Sequence, residues 1–358
     1  MKKTIISGFA VGLALLFFTA TAHPWNYATH AYIAAKIGKK LPLANLNEMY
    51  GAMAPDLFNF EFSLMSDLLL RGFTHGIPTD ATYYSPNPAS NEDFMQVWNL
   101  AGWGQKRSTA YGYISHNDAW GDDFVAHWRA LPTPDPTPPD PIPFPFPFVI
   151  RVGHPAPTPQ PPGYIIYLAA ALDACLAGAD AWRLMGFEDD YATRLMFCHN
   201  IIEYAGDLAL KRHDPLIGRN LILACALRTP EFRSLLKATF PNGYDPMIDA
   251  GEPEYRKMLM QYGLILLMPE QRAINMLAEQ LADLAVDYLI FLGFPPEMVE
   301  PMRPQLVEFG IGALTASIDI CEHTDVYLGD SFPSYMQELN QVAIPWVKAQ
   351  LLAHGVFY

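Results

Sequence analysis

Apolar residues recur at three- and four-residue spacing through nearly the whole chain, from Ala28 to His354, and no stretch alternates apolar and polar residues as a half-buried strand would. That pattern limits the chain to an all-α fold, in which each helix buries one apolar stripe against its neighbours. The windows that carry it are 28–39, 62–70, 91–100, 108–128, 165–184, 191–212, 216–226, 230–238, 254–267, 270–292, 296–317 and 335–354. Prolines and glycines punctuate them, as at Pro42, Pro55, Gly243 and Pro295-Pro296. With 51% apolar residues there is enough hydrophobic material for a sizeable core.

Two segments stand outside the pattern. Residues 1–22 read Met1-Lys2-Lys3, an apolar run from Ile5 to Phe18, then Ala20-Thr21-Ala22. A short basic start, an apolar run too short to span a bilayer and an A-x-A site describe a secretory signal peptide, so the protein is expected to be exported, with His23 as its first mature residue. In residues 131–162 proline recurs every second or third position, which excludes helix and central strand and predicts an extended insertion. Phe144, Phe146 and Phe148 within it are read either as packing for a stiff surface loop or as an apolar lip touching lipid or a partner.

Net charge is −14, a balance that disfavours long nucleic acid as a partner because a phosphate-tracking surface is basic. It does not disfavour small phosphoesters if bound metal supplies the positive charge. The four cysteines, Cys175, Cys198, Cys225 and Cys321, form no C-x-x-C pair; disulfides and buried thiols are both open readings.

Five of the ten histidines fall in an ordered series with carboxylates beside them: His30, then His75 after the Pro55-Asp56 dipeptide, then Gly112-Tyr113-Ile114-Ser115-His116 running on to Asp123 and His127, then His199 with Glu203. His199 and Glu203, four apart on one helix face, can grip a single ion. Imidazoles with bridging carboxylates are what a multi-zinc site requires. Each piece alone reads more readily as a satisfied core residue than as a ligand; the argument for metal rests on the set.

In these motifs the stretch from Trp25 to Asp207 resembles the bacterial zinc-dependent phospholipase C family, which shares its fold with the fungal single-strand-specific zinc nucleases. The resemblance implies a helical bundle with a metal cleft over residues 23–230, interrupted by the 131–162 insertion, and leaves 231–358 as a helical C-terminal extension. It implies two to three Zn²⁺ ions held by Trp25, His30, Asp56, His75, His116, Asp123, His127, His199 and Glu203. Asp56 lies in the Gly51-x-x-x-Pro55-Asp56 motif, His116 in the G-Y-[IL]-S-H motif, and Asp56 is implied to act in catalysis as well.

The chain departs from the family at two places. Trp120 stands four residues after His116, where the family has a bridging Asp; Asp123 at plus seven is expected to take that role by returning to the His116 face of a continuous helix, with Asp118 and Asp122 as weaker candidates that point elsewhere on it. Cleavage after Ala22 leaves His23-Pro24 ahead of Trp25, so the terminal amine belongs to His23, or trimming exposes Trp25, or the third ion is weak. Asp207, one turn after Glu203, is expected to support a ligating histidine.

The expected activity is phosphoester hydrolysis, with a phospholipid substrate and transient membrane-surface contact. A nuclease or nucleotidase would need aromatic platforms such as Tyr83, Tyr84, Trp98 or Trp103. A non-catalytic, metal-stabilised binding protein is the reading that the Trp120 departure favours.

Overall fold

The structure, a computed structural model, describes residues 26–57, 68–76, 92–127, 129, 131, 163–178, 191–241, 243–291 and 295–358. The expected signal peptide, His23, Trp25, the 58–67 segment and residues 132–162 lie outside these. Every regular element among the described residues is helical, and none of the helices is long and apolar enough to cross a membrane.

The helices that build the metal-facing half are α1 (Tyr27–Ile37), α2 (Pro42–Met53), α3 (Leu68–His75), α4 (Met95–Leu100), α5 (Gln105–Ser115), α6 (Asp122–His127), α7 (Tyr164–Gly178) and α8 (Tyr191–His213). Pro42, which punctuates the apolar pattern, is the first residue of α2 rather than a stop. Proline suits that place because its fixed φ is already helical and the first helical amide needs no partner. A 3₁₀ turn, Ala54–Asp56, follows α2 directly.

α2 and α5 cross at close range, and the crossing depends on two glycines. A Cβ at Gly51 would lie 2.0 Å from the carbonyl oxygen of Thr109, and one at Gly112 1.9 Å from that of Glu48. Only glycine permits backbones to approach so closely. These are the glycines of the two motifs, so the crossing that they allow sets the Asp56 turn beside His116.

The window read as one helix over 108–128 is two. α5 ends at Ser115 and α6 begins at Asp122. Asn117 makes the break: its Oδ1 accepts from the amides of Ala119 (2.9 Å), Trp120 (2.8 Å) and Gly121 (3.2 Å), while its Nδ2 donates to Ile114 O (2.8 Å). An asparagine side chain that satisfies three amides of a turn competes successfully with continued helix.

The rest of the chain comprises α9 (Ile217–Leu227), α10 (Phe232–Thr239), α11 (Asp245–Leu267), α12 (Glu270–Phe291), α13 (Pro296–Val299), α14 (Arg303–Glu322), α15 (Thr324–Leu328), a Tyr335–Ala343 segment that turns from α into π geometry, and α16 (Ile344–Ala353). α11 starts nine residues ahead of the 254–267 window and carries Pro253 inside it, with Pro246 near its start. Residues on both sides of position 230 share one hydrophobic core. From α11, Tyr255 donates to Met53 O (2.5 Å) and Tyr50 of α2 donates to Glu252 (2.5 Å). The four cysteines are free thiols, Cys175 half-buried and the others buried.

Candidate metal centre

Nine titratable side chains from six elements converge between α1, α5, α6 and α8. His30 comes from α1, Asp56 from the 3₁₀ turn, His75 from the end of α3, His116 from the end of α5, Asp122, Asp123 and His127 from α6, and His199 and Glu203 from the middle of α8. All nine are buried. They form three groups able to hold a metal ion: Asp56, His75 and His116; His30, His116, Asp122 and Asp123; and His127, His199 and Glu203. Every expected ligand among the described residues belongs to one of them; Trp25 lies outside those residues.

In the first group Nε2 of His116 is 3.1 Å from Nε2 of His75, and Oδ1 of Asp56 is 3.4 and 3.5 Å from those two nitrogens. Asp123 completes the arrangement, with Oδ2 3.2 Å from His116 Nε2 and 3.8 Å from His75 Nε2. Ligands at about 2.0–2.1 Å in a tetrahedron stand about 3.3 Å apart, so these separations match the edges of one coordination shell. The other oxygen of Asp123, Oδ1, is 3.7 Å from His30 Nε2. One carboxylate therefore faces two groups, the position of a bridge. In the third group His199 Nε2 is 2.9 Å from both His127 Nε2 and Glu203 Oε1.

Several ligand atoms of the set converge on common points. Among the described residues no donor is aligned on either oxygen of Asp123 or on Oε1 of Glu203, although ring nitrogens surround them. His116 shows why: its Nδ1 lies 2.9 Å from Ala52 O, and only an N–H can make that bond, so in the neutral ring Nε2 carries a lone pair. Burial, followed by the neighbouring aspartates, holds the Asp123 carboxyl well above the usual range; burial, then Asp56 and Asp207, does the same for Glu203. Burial likewise raises Asp122 to about 7 and lowers His75. Buried carboxylates packed this closely need cations to remain ionised, and the donor set fits that requirement.

Asp123 faces His116, but not through a shared helix face. The Asn117 turn carries the chain around, and the amide of Asp123 returns to His116 O at 3.4 Å. Asp122, expected to point elsewhere, accepts His30 Nδ1 at 3.1 Å. Asp118 also belongs to the periphery, with Oδ1 3.7 Å from His127 Nδ1 and its amide donating to His75 O. The doubled Asp122-Asp123 and the Asn117–Gly121 breaker pair were the sequence signals for this.

Among the described residues Asp207 bonds to no histidine. It accepts from the amides of Ala28 and Thr29 (2.8 Å each), from Thr29 Oγ1 (2.7 Å) and from Tyr262 (2.9 Å), and so caps the start of α1. Trp120 packs against His354 with ring centroids 4.5 Å apart and donates to Glu92 at 3.3 Å. Of the aromatic candidates, Trp98 is buried, Trp103 is 93% exposed beyond the far end of α5, about 16 Å along the helix from His116, and Tyr83 and Tyr84 lie outside the described residues. Glu322 pairs with His213, and His323 with Asp319, rather than converging on a metal-sized point. Compared with known proteins, the chain matches no family model, no curated protein and no solved structure.

Proposed function

We propose that this protein is a zinc-dependent phosphoester hydrolase that holds two to three ions and cleaves phospholipids at the P–O bond on the glycerol side. The observation that carries the reading is the sharing of donors: His116 belongs to two of the three groups, and Asp123 turns one oxygen toward each of them. Five imidazoles with interleaved carboxylates suit zinc better than the harder divalent ions, which favour all-oxygen shells.

Zinc ions in such a cluster supply Lewis acidity toward phosphoryl oxygens and lower the pKa of water. The chain's own residues do the rest. His75, His116 and Asp123 fix one end of the centre and His127, His199 and Glu203 the other, holding the geometry before substrate arrives. Asp56, with Oδ1 beside His75 and His116, orients the attacking water or takes its proton. The reading of Trp120 as a lost bridge, the best argument for a non-catalytic protein, is weakened by Asp123, whose two oxygens face His30 and His116. The net charge of −14 and the buried Trp98 favour a phospholipid over long nucleic acid.

The test is metal analysis of the purified protein followed by hydrolysis of a short-chain phosphatidylcholine, with single-stranded DNA, RNA and mononucleotides assayed in parallel. The expected result is two to three zinc ions and lipid cleavage that chelator abolishes and zinc restores. Nucleic-acid cleavage without lipid turnover would move the protein to the nuclease branch. Inactivity on every phosphoester with zinc fully bound would establish the non-catalytic reading.

A further inference from the structure

Asp122 and Asp123 are consecutive, both fully buried, and face different nitrogens of the same ring. Asp123 Oδ1 lies 3.7 Å from His30 Nε2, whereas Asp122 Oδ2 lies 3.1 Å from His30 Nδ1. The two nitrogens of an imidazole direct their lone pairs or protons to opposite edges of the ring. An ion held by Nε2 beside Asp123 is therefore on the far side of the ring from Asp122 Oδ2. A carboxylate oxygen at hydrogen-bond distance from Nδ1 requires a proton on that nitrogen, which leaves Nε2 of the neutral ring with a lone pair.

We propose that Asp122 is a positioning residue that takes the Nδ1–H of His30 and so fixes the tautomer and the angle at which His30 faces the bridging carboxylate. The proposal rests on the metal reading above and deepens it at one histidine. His116 is held in the same manner by Ala52 O at 2.9 Å, but by a backbone carbonyl. His30 has a charged acceptor in place of a neutral one, which makes its Nε2 the more basic donor of the two. The sequence arranges this economically: at the first turn of α6 two successive aspartates serve one ring from opposite edges, one behind it and one beside its ion.

The experiment uses the full chain. Wild type, Asp122→Ala, Asp122→Asn and His30→Ala are stripped with chelator, titrated with Zn²⁺ against a competing chromophoric chelator, and loaded with Co²⁺ for visible absorption. Asp122→Ala should weaken one ion by roughly 10–100-fold, the range for loss of such outer partners, and leave the others at wild-type affinity. Asp122→Asn, isosteric and still able to accept the Nδ1–H, should lose much less and keep the wild-type Co²⁺ band, which Asp122→Ala should alter. If Asp122→Asn loses that ion as completely as His30→Ala, Asp122 is itself a ligand and the proposal is overturned. Unchanged affinities in Asp122→Ala, with wild type loading normally, overturn it too. Wild type that takes up no divalent ion overturns the metal reading instead, and this inference with it. Should Asp122→Ala fail to fold, the comparison of Asp122→Asn with His30→Ala decides.

Discussion

At the scale of the residue, the centre's carboxylates are not equivalent. Asp123 faces His30, His75 and His116, whereas Asp118 places Oδ1 3.7 Å from Nδ1 of His127 and is partly exposed. Asp123→Asn should therefore reduce bound metal more than Asp118→Asn, measured by metal analysis after gel filtration; equal or greater loss in Asp118→Asn would remove Asp123 from the bridging role. His199→Ala and Glu203→Ala should each cost at least one ion and lower the melting temperature, because binding to the native state alone stabilises it. Unaltered metal content in both would sink the third group. The set of histidines was legible from spacing, since ligand identity depends on residue type. The aspartates were legible only in part. Asp123 follows from a helix that is not continuous, and Asp122, a weaker candidate expected to point elsewhere, faces His30, because the turn made by one asparagine at position 117 redirects the chain.

At the scale of the element, the α2–α5 crossing sets how far the Asp56 turn stands from His116. Gly112→Ala would drive a methyl group into Glu48 O. The expected cost is about 1–3 kcal/mol or more in chemical denaturation, with weaker metal binding at the Asp56 group. A Gly112→Ala variant as stable as wild type would show that the crossing has slack. Asn117→Ala should cost about 1–3 kcal/mol for three amides left without their acceptor, and should disturb Asp123 from a distance of six positions. Helix identity was readable wherever one apolar stripe imposes its period, but α2 (Pro42–Met53) falls in none of the windows, because Pro42 reads as a breaker from sequence. Boundaries were not: Pro42 opens α2 and Pro253 sits inside α11, since proline's effect depends on where in a helix it falls.

For the whole molecule, the centre's charge makes stability depend on pH in a direction that metal reverses. Burial raises Asp122 to about 7, with Asp123 and Glu203 shifted the same way. A carboxyl whose folded value lies above its unfolded value of about 4 contributes stability that is complete below that lower value and is lost as pH climbs through the upper one. The lowered value of His75 acts the other way, since a buried neutral imidazole loses stability as pH falls, but with three raised carboxyls against it the chelator-treated protein should melt higher at pH 5 than at pH 8. The zinc-loaded protein should do the opposite, because protons compete with metal for the same donors. A metal-free melting temperature that rises over this range would contradict the assignment of these carboxylates as buried and closely packed.

The cap on α1 reaches beyond its own helix. Tyr262, from α11, bonds both Asp207 and Asn26, and Tyr335 lies 2.8 Å from the hydroxyl of Thr29, the residue before His30. Two tyrosines from the last third of the chain thus hold the segment that presents the first histidine. Every described candidate metal donor lies before position 204, yet the contacts that hold the His30 segment reach to Tyr262 and Tyr335. A shortened chain ending near 230 would keep the donors and lose both tyrosines, so the stretch that supplies the donors is shorter than the stretch that positions them.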